Sequence, residues 1–388
     1  MQEYKLSLMR MTETALAVAC SLSIVGGLTE SLKAAQAAEP RYPAKTGVQT
    51  PGIQHEMTEL VPVATFAVEG RPDWLTITED AVWVASSNVN HVVRLDPKTN
   101  LPGAILTIAE PCAGMAEGFG SLWIPSCGDH VVVRLDPETG KIQARVAASP
   151  ADDEGGIAIG AGSVWIVTSK DGDLARIDPT SNGVKARIRI PAGSFNPVFA
   201  NGFLWISSNA NNTLVRVDPA TNKVTGQTSV GPRPRFLTAG GGSVWVLNQG
   251  DGTITRVDAC TGKSTATIAA GIPGDGGENF FGGGTVWATT LGYPITRISP
   301  RTNTVVGQSH GSGGDSIRVG HGSLWLTDLK GAKVWRLPFA VRSRQFHTDV
   351  QLRTSLFARR PTFGTVSGGF GPNCFHHTKH GPLGAGND

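Results

Sequence analysis

Seven tryptophans recur in step along this chain. Trp83, Trp123, Trp165, Trp205, Trp245, Trp287 and Trp325 stand 40, 42, 40, 40, 42 and 38 residues apart, each in a Gly/Ser-x-[Val/Leu]-Trp-like setting. An arginine follows each tryptophan by eleven residues, or by ten in the sixth copy: Arg94, Arg134, Arg176, Arg216, Arg256, Arg297 and Arg336. Asp-Pro comes next in four copies (Asp96, Asp136, Asp178, Asp218), with Asp258-Ala259 and Ser299-Pro300 as variants. Two signals in fixed register, repeated seven times, specify a repeat architecture, and a period near forty residues is that of a propeller blade.

One unit reads as four strands. Around the fifth copy, Phe236–Ala239 is the expected inner strand and 240–242 a Gly-Gly-Gly turn. Residues 244–247 and 253–257 follow as the second and third strands, and 264–269 as the outer one. The turn before the outer strand has a clear chemistry: Asp bonds its own backbone, Pro presets φ, and a left-handed position follows. Asn100, Gly140, Asn182, Asn222, Gly262 and Asn303 occupy that last position, which suits Gly and Asn. With 49 Gly and 24 Pro in a chain only 17% charged, short strands and tight turns are favoured over helices. The seventh copy lacks its outer strand, and Phe66–Pro72 matches Thr228–Pro234, an outer strand leading into a blade. The fold predicted is therefore an all-β, seven-bladed propeller over 61–340, its ring closed by the N-terminal strand at 61–68 and acting as a monomer. The tryptophan row reads as packing between blades. The arginines, two residues before Asp on the same strand face, read as local ion pairs or turn anchors.

The two ends differ from the repeat. Lys5 and Arg10 precede an apolar stretch from Ala15 to Leu28, and Ala35-Gln36-Ala37 supplies small residues for cleavage. Residues 1–38 are thus expected to be a signal peptide, with 39–60 a linker, which places the protein in the periplasm or outside the cell. Lipoprotein processing at Cys20 is the rival, though the usual Leu three residues before the Cys is missing. No later segment is long enough for a transmembrane anchor. Residues 341–388 form a basic His/Gly-rich tail, read as disordered. Its six Lys/Arg against two Asp more than account for the formal charge of +3, so the repeat region carries no basic face for nucleic acid. The tail's Cys374-Phe375-His376-His377-Thr378-Lys379-His380 tract has soft-metal donors, as short disordered tracts often do.

Chemistry is expected where one blade's outer strand enters the next blade's inner strand. These mouth positions are Asp73/Trp74, Ala113/Gly114, Gly155/Gly156, Phe195/Asn196, Arg235/Phe236, Gly277/Glu278 and Asp315/Ser316. They vary while the scaffold rows stay uniform, as a recognition surface does. Arg235 is read as pairing an anionic group of a small polar ligand, with Asp73, Glu278 and Asp315 around it and Asp328 in the next loop to consider. The carboxylates also raise the possibility of a divalent cation such as magnesium. Cys112 and Cys127 flank one hairpin turn near Gly120 at similar distances, which places them side by side as a disulfide candidate in an oxidising compartment. No nucleophile elbow stands outside turn sequences, none of the Gly clusters ends as a phosphate loop does, and there is no Cys-x-x-Cys motif.

The unit Trp-Val-x(5–6)-Asn-x-[Val/Leu]-x-Arg-[Leu/Ile/Val]-Asp-Pro-x-Thr-[Asn/Gly] resembles two overlapping families over about residues 61–340. One is the YVTN/YncE-like bacterial propellers, secreted proteins with a binding role. The other is the streptogramin (virginiamycin B) lyases, seven-bladed magnesium-dependent enzymes that open a lactone by elimination. The lyase resemblance implies Pro-His pairs at the inner-strand starts of late blades. Here the seventh blade reads Gly313-Gly314-Asp315-Ser316 and the sixth Gly277-Glu278-Asn279, with no histidine in either. Without that base the elimination lacks its proton acceptor. The function expected is non-catalytic recognition of a small polar molecule or a protein; the alternative is a metal-assisted carbon–oxygen lyase of the streptogramin type.

Overall fold

In the computed structural model, which describes residues 42–151 and 155–339, the repeats form seven sheets in a ring. The predicted signal peptide and the C-terminal tail lie outside the described residues. Blade four shows the common plan: Ser194–Ala200, Phe203–Ser208, Thr213–Asp218 and Lys223–Ser229 pair antiparallel in chain order. Blade five agrees with its sequence reading to within two residues at either end of each strand: Pro234–Gly240, Ser243–Asn248, Thr253–Asp258 and Ser264–Ala269. No helix among the described residues is long and apolar enough to cross a membrane.

The spacing of the two rows has a geometric cause. In all seven blades the tryptophan on the second strand stands directly opposite the arginine on the third, from Trp83 opposite Arg94 to Trp325 opposite Arg336. Each tryptophan is at most 2% exposed and packs toward the next blade. Trp165 shares a core cluster with Leu204 and Ile206, Trp205 with Val244 and Val246, and Trp325 with Leu75 and Val82. In six blades the indole N–H donates to the carbonyl five residues earlier, the last of the inner strand. That residue is a glycine in five of the six, because the next blade presses against it. A Cβ on Gly240 would lie 2.0 Å from the Phe281 ring.

The arginines differ from their sequence reading. They are turn anchors, but the turn belongs to the following blade. Arg176 donates to Ser163 Oγ in its own blade (2.8 Å), then to the Pro219 carbonyl (2.7 Å) and Asn222 Oδ1 (2.9 Å) of the next. Arg134, Arg256 and Arg336 repeat this pattern on Pro179/Asn182, Pro300/Asn303 and Pro97/Asn100. Each also lies over its own blade's tryptophan, Arg176 at 4.7 Å from the Trp165 ring centroid. The three remaining arginines obey the same logic by exception. The turns facing Arg94 and Arg216 carry Gly140 and Gly262 instead of Asn. Arg94 pairs with Asp80 at 2.6 Å, and Arg216 bonds Thr225 Oγ1 and lies over Phe203. Arg297 faces blade seven, which has no such turn, and donates to the Val306 carbonyl.

The aspartates two residues on turn away from the arginines and cap their own turns. Asp96 Oδ1 accepts the Lys98 and Thr99 N–H groups at 2.7 and 3.2 Å. The left-handed residue follows, with φ of 58° at Asn100 and 71° at Gly140.

Closure occurs as expected. Ala64–Ala67 pairs antiparallel with Lys333–Pro338 and completes blade seven, and Phe66, 2% exposed, lies 5.6 Å from Trp325. The 39–60 segment is more than a linker. Gln54–Glu56 adds a fifth, parallel strand to the outside of blade six. Just before it, Gly47 N donates to the Gly271 carbonyl and Val48 N to Gln308 Oε1. The sequence gives no periodic signal there because this strap occurs once.

Two outcomes follow from this packing. Trp205→Ala removes a fully enclosed ring and is expected to cost ~3–5 kcal/mol in chemical denaturation; wild-type stability would contradict a packing role. The turn carboxyls of Asp96, Asp136, Asp178 and Asp258 lie below the usual range, chiefly because backbone N–H groups donate to the ionised form. Their contribution is present above the unfolded carboxylate range, about pH 4, and is lost as pH falls through the lower folded values. Denaturation midpoints are therefore expected to fall below pH 4 and to change little just above it; a flat acid limb would contradict this.

Candidate functional site at the mouth of the ring

The inner strands carry their first residues to one mouth of the ring. There Trp74 from blade one and Phe236 from blade five meet with ring centroids 6.1 Å apart. The two blades are not neighbours, so the pair reaches across the channel, and the residues are only 3% and 2% exposed. Together they plug it. Non-repeating side chains from distant blades leave no pairing signal in the sequence, which is why the plug was not anticipated.

Outside the plug lies a cavity of about 570 Å³, bordered by Arg71, Asp73, Glu110, Asp275 and Asp315 among others. Two of the five candidate site residues are therefore brought together here, Asp73 and Asp315. Asp315, 9% exposed, accepts the Gly277 N–H at 2.7 Å. The disulfide between Cys112 and Cys127, with Cα atoms 5.8 Å apart, forms part of the same wall.

The other candidates have different surroundings. Glu278 touches the plug beside Asp73 and Asp315, but its carboxylate is occupied. It accepts Ser316 Oγ at 2.6 Å and Arg318 Nη1 at 2.5 Å, with the Ile317 N–H at 3.3 Å. All three belong to blade seven, so Glu278 locks blade six to blade seven at the junction where Arg297 has no turn to hold. Arg235, expected to pair an anionic group, is the second residue of an inner strand and is half-buried. It lies 4.4 Å over the Phe195 ring of blade four, and its carbonyl accepts Ser207 Oγ at 2.5 Å. It is not among the residues bordering the cavity. Asp328 borders a second cavity of about 510 Å³ between blades six and seven. It accepts the Gly331 N–H at 2.9 Å and pairs with Lys333 at 3.5 Å.

A divalent cation of the magnesium type needs converging oxygen donors, carboxylates above all. The donor set does not fit: Glu278 is neutralised by Arg318 and Asp328 by Lys333. Among the described residues, no group of three or more His, Cys, Asp or Glu side chains is placed to hold a metal ion. Two of the described histidines serve elsewhere. His310 pairs with Glu56 of the strap at 3.5 Å, and His321 Nε2 bonds the Thr78 carbonyl of blade one at the other end of the ring.

Sequence reasoning missed three residues that hold the Asp275 loop at the cavity rim. Tyr42 donates its hydroxyl to Asp275, and Arg233 pairs with Asp275 at 3.2 Å while lying 4.9 Å over the Tyr42 ring. Burial first, then the bond to Asp275, raises the Tyr42 hydroxyl well above its ordinary pKa. Lys45 donates to the Leu291 carbonyl at 3.0 Å, and burial holds its ammonium below the usual value. The strap thus fixes the Asp275 loop on its outer side. Only the Gly-Asp-Gly-Gly run at 274–277 marked this loop in the sequence, and nothing marked Tyr42.

Comparisons with known proteins agree with this architecture. Residues 138–279 match a repeat family of unknown function, DUF6923. No curated protein matches the chain. Among solved structures, a streptogramin B lyase is similar with a TM-score of 0.59 and 20% identity, covering 70% of this chain and 96% of that one. The virginiamycin B lyase of Staphylococcus aureus, in its selenomethionine form, gives a TM-score of 0.57 at 17% identity, covering 71% and 98%. A catalytically inactive variant of that enzyme, solved with quinupristin, gives 0.58 at 18%, with the same coverage. The chain is a seven-bladed propeller of the virginiamycin B lyase-like fold.

The lock formed by Glu278 can be tested directly. Removing one partner of a buried ion pair strands the other, so Glu278→Ala is expected to cost ~3–5 kcal/mol. A variant of unchanged stability would mean that Glu278 is a solvated carboxylate after all.

Proposed function

We propose that this protein is an exported recognition module that holds a small polar ligand at the mouth of its ring without transforming it. The observation that carries this reading is the cavity of about 570 Å³ outside the plug, bordered by Asp73, Glu110, Asp275 and Asp315 against Arg71. Its size falls within the range of small-molecule sites. Its acidic border favours a ligand with an amine or other cationic group, a change from the anionic group expected of Arg235. The non-catalytic part rests on what surrounds the cavity. No mouth position carries a histidine, and Glu278 is tied to Arg318. The disulfide on the cavity wall suits an oxidising compartment and supports export.

A second reading, a lyase, is favoured by one observation, the fold likeness to streptogramin lyases, one of them solved with quinupristin. In that reading Asp73 or Asp315 would have to serve as the base, since the mouth positions offer no histidine.

Calorimetric titration against a panel of amino sugars and polyamines, with acidic sugars as controls, tests the binding reading. Amine-bearing compounds are expected to bind, and Asp315→Asn is expected to weaken them about tenfold or more by removing a charged partner from a shielded site. Chromatography with tandem mass spectrometry after incubation with quinupristin decides between the two readings, because elimination opens the ring without changing the mass. Unaltered quinupristin agrees with recognition, and a ring-opened product would overturn it.

A further inference from the structure

The acidic cavity does not end at its own border. Leu291 and Leu329 line it, and both also line the cavity of about 510 Å³ between blades six and seven, so the two spaces meet across these side chains. Each leucine directly follows a second strand, Thr285–Thr290 in blade six and Ser323–Asp328 in blade seven. Asp315 stands beside this shared wall. A Cβ placed on Gly276 would lie 3.5 Å from Leu291 Cδ1 and 3.8 Å from Asp315 Oδ1, so wall and carboxylate approach one point.

The two sides of the wall differ in charge. On the acidic side Asp315 spends one carboxylate oxygen on the Gly277 N–H, and the other has no hydrogen-bond partner among the described residues. The Glu110 carboxylate has none either. In the second cavity the balance is reversed. The Asp328 carboxylate, 6% exposed, is taken up by the Gly331 N–H and by Lys333, whose ammonium also lies 4.9 Å over the Trp335 ring. Lys330, exposed in the same loop, has no partner among the described residues, and neither has the Ser312 hydroxyl. Leu329 of the shared wall precedes Lys330 in the chain, so their Cα atoms are ~3.8 Å apart. One continuous space thus offers carboxylates at one end and an unpaired ammonium and hydroxyl at the other. Opposite charges held in fixed places select a ligand by the spacing of its own charges.

We infer that the two cavities form one site for a zwitterion, a short linear peptide with both ends free. Its N-terminal ammonium lies among Asp315 and Glu110, its C-terminal carboxylate accepts from Lys330 and Ser312, and its middle crosses Leu291 and Leu329. This rests on the reading of the acidic cavity as an amine site and adds the other end of the ligand. A single amino acid carries both charges on one carbon and cannot use two cavities, whereas a peptide separates its ends by up to ~3.5 Å per residue.

Calorimetric titration of the full-length protein with alanine peptides, from dialanine to pentaalanine, tests the site. Each peptide is measured with free ends, as its C-terminal amide and as its N-acetyl derivative. At the length that fits, the free peptide is expected to bind about tenfold tighter than either blocked form. Lys330→Met, a change at an exposed and unpaired side chain, is expected to bring the free peptide down to the level of its amide. Amides that bind as well as free peptides at every length would overturn the zwitterion site and leave the acidic cavity as an amine site alone. A preference for the free acid that survives Lys330→Met, or that disappears in Arg71→Met instead, would overturn it in the same way. An N-acetyl peptide that binds as well as the free one would contradict the amine reading itself, and this site would fall with it.

Discussion

A ring of seven sheets is held by contacts between neighbouring faces, and apolar packing alone supplies attraction without direction. In four of the seven blades the central arginine supplies the direction. It lies over its own tryptophan, which shields it from water, and hands its remaining donors to a carbonyl and an Asn side chain in the next blade. The Asn it meets is also the left-handed residue of that turn, so one residue both shapes the turn and receives the arginine. Where Gly replaces Asn the bond is absent, and other contacts hold the junction. Thr228 Oγ1 donates to the Gly262 carbonyl at 2.6 Å between blades four and five, and Glu278 binds blade seven. Blades one and two join through Thr76 Oγ1 and the Met115 carbonyl at 2.8 Å.

Much of this scaffold could be read from the chain, because each unit states the same pattern again. Strand positions, the buried tryptophans, the turn aspartates and the closing strand at Phe66 all belong to the repeat or match one copy of it. The arginine was misread in one respect. Its neighbour Asp178 is two residues away, while its actual partner Asn222 is forty-six residues away, and local reasoning favours the nearer charge. Glu278 was misread for the same cause, since Arg318 lies forty residues on in the next blade. The strap and the plug were illegible for a different reason. Tyr42, Trp74 and Phe236 each act once, across the ring, and a feature that occurs once has no register from which to infer its partner.

The same division explains where chemistry can reside. The repeated rows fix the blades so firmly that the mouth positions are free to differ, and their differences produce two unlike spaces. Asp73, Glu110, Asp275 and Asp315 border an open, acidic one. Trp74 and Phe236 seal it from an inner one that is mainly apolar. The strap contributes to the outer space by gripping the Asp275 loop through Tyr42 and Lys45. Carboxylates that sequence alone would assign to a ligand or a metal divide into two sets, and those paired with Arg318 or Lys333 belong to the scaffold.

The claim on which the rest depends is that the arginine of one blade and the turn of the next are energetically coupled. A double-mutant cycle with Arg176→Met and Asn222→Gly isolates that coupling from the separate costs of each change. The account predicts an interaction of about 1 kcal/mol or more in chemical denaturation, as for a hydrogen bond to a charged donor. It predicts additivity for Arg176→Met with Asn303→Gly, since Asn303 receives Arg256 at a different junction. Additive effects at Arg176 and Asn222 would contradict it, and would leave the junctions to tryptophan packing and the contacts that do not repeat.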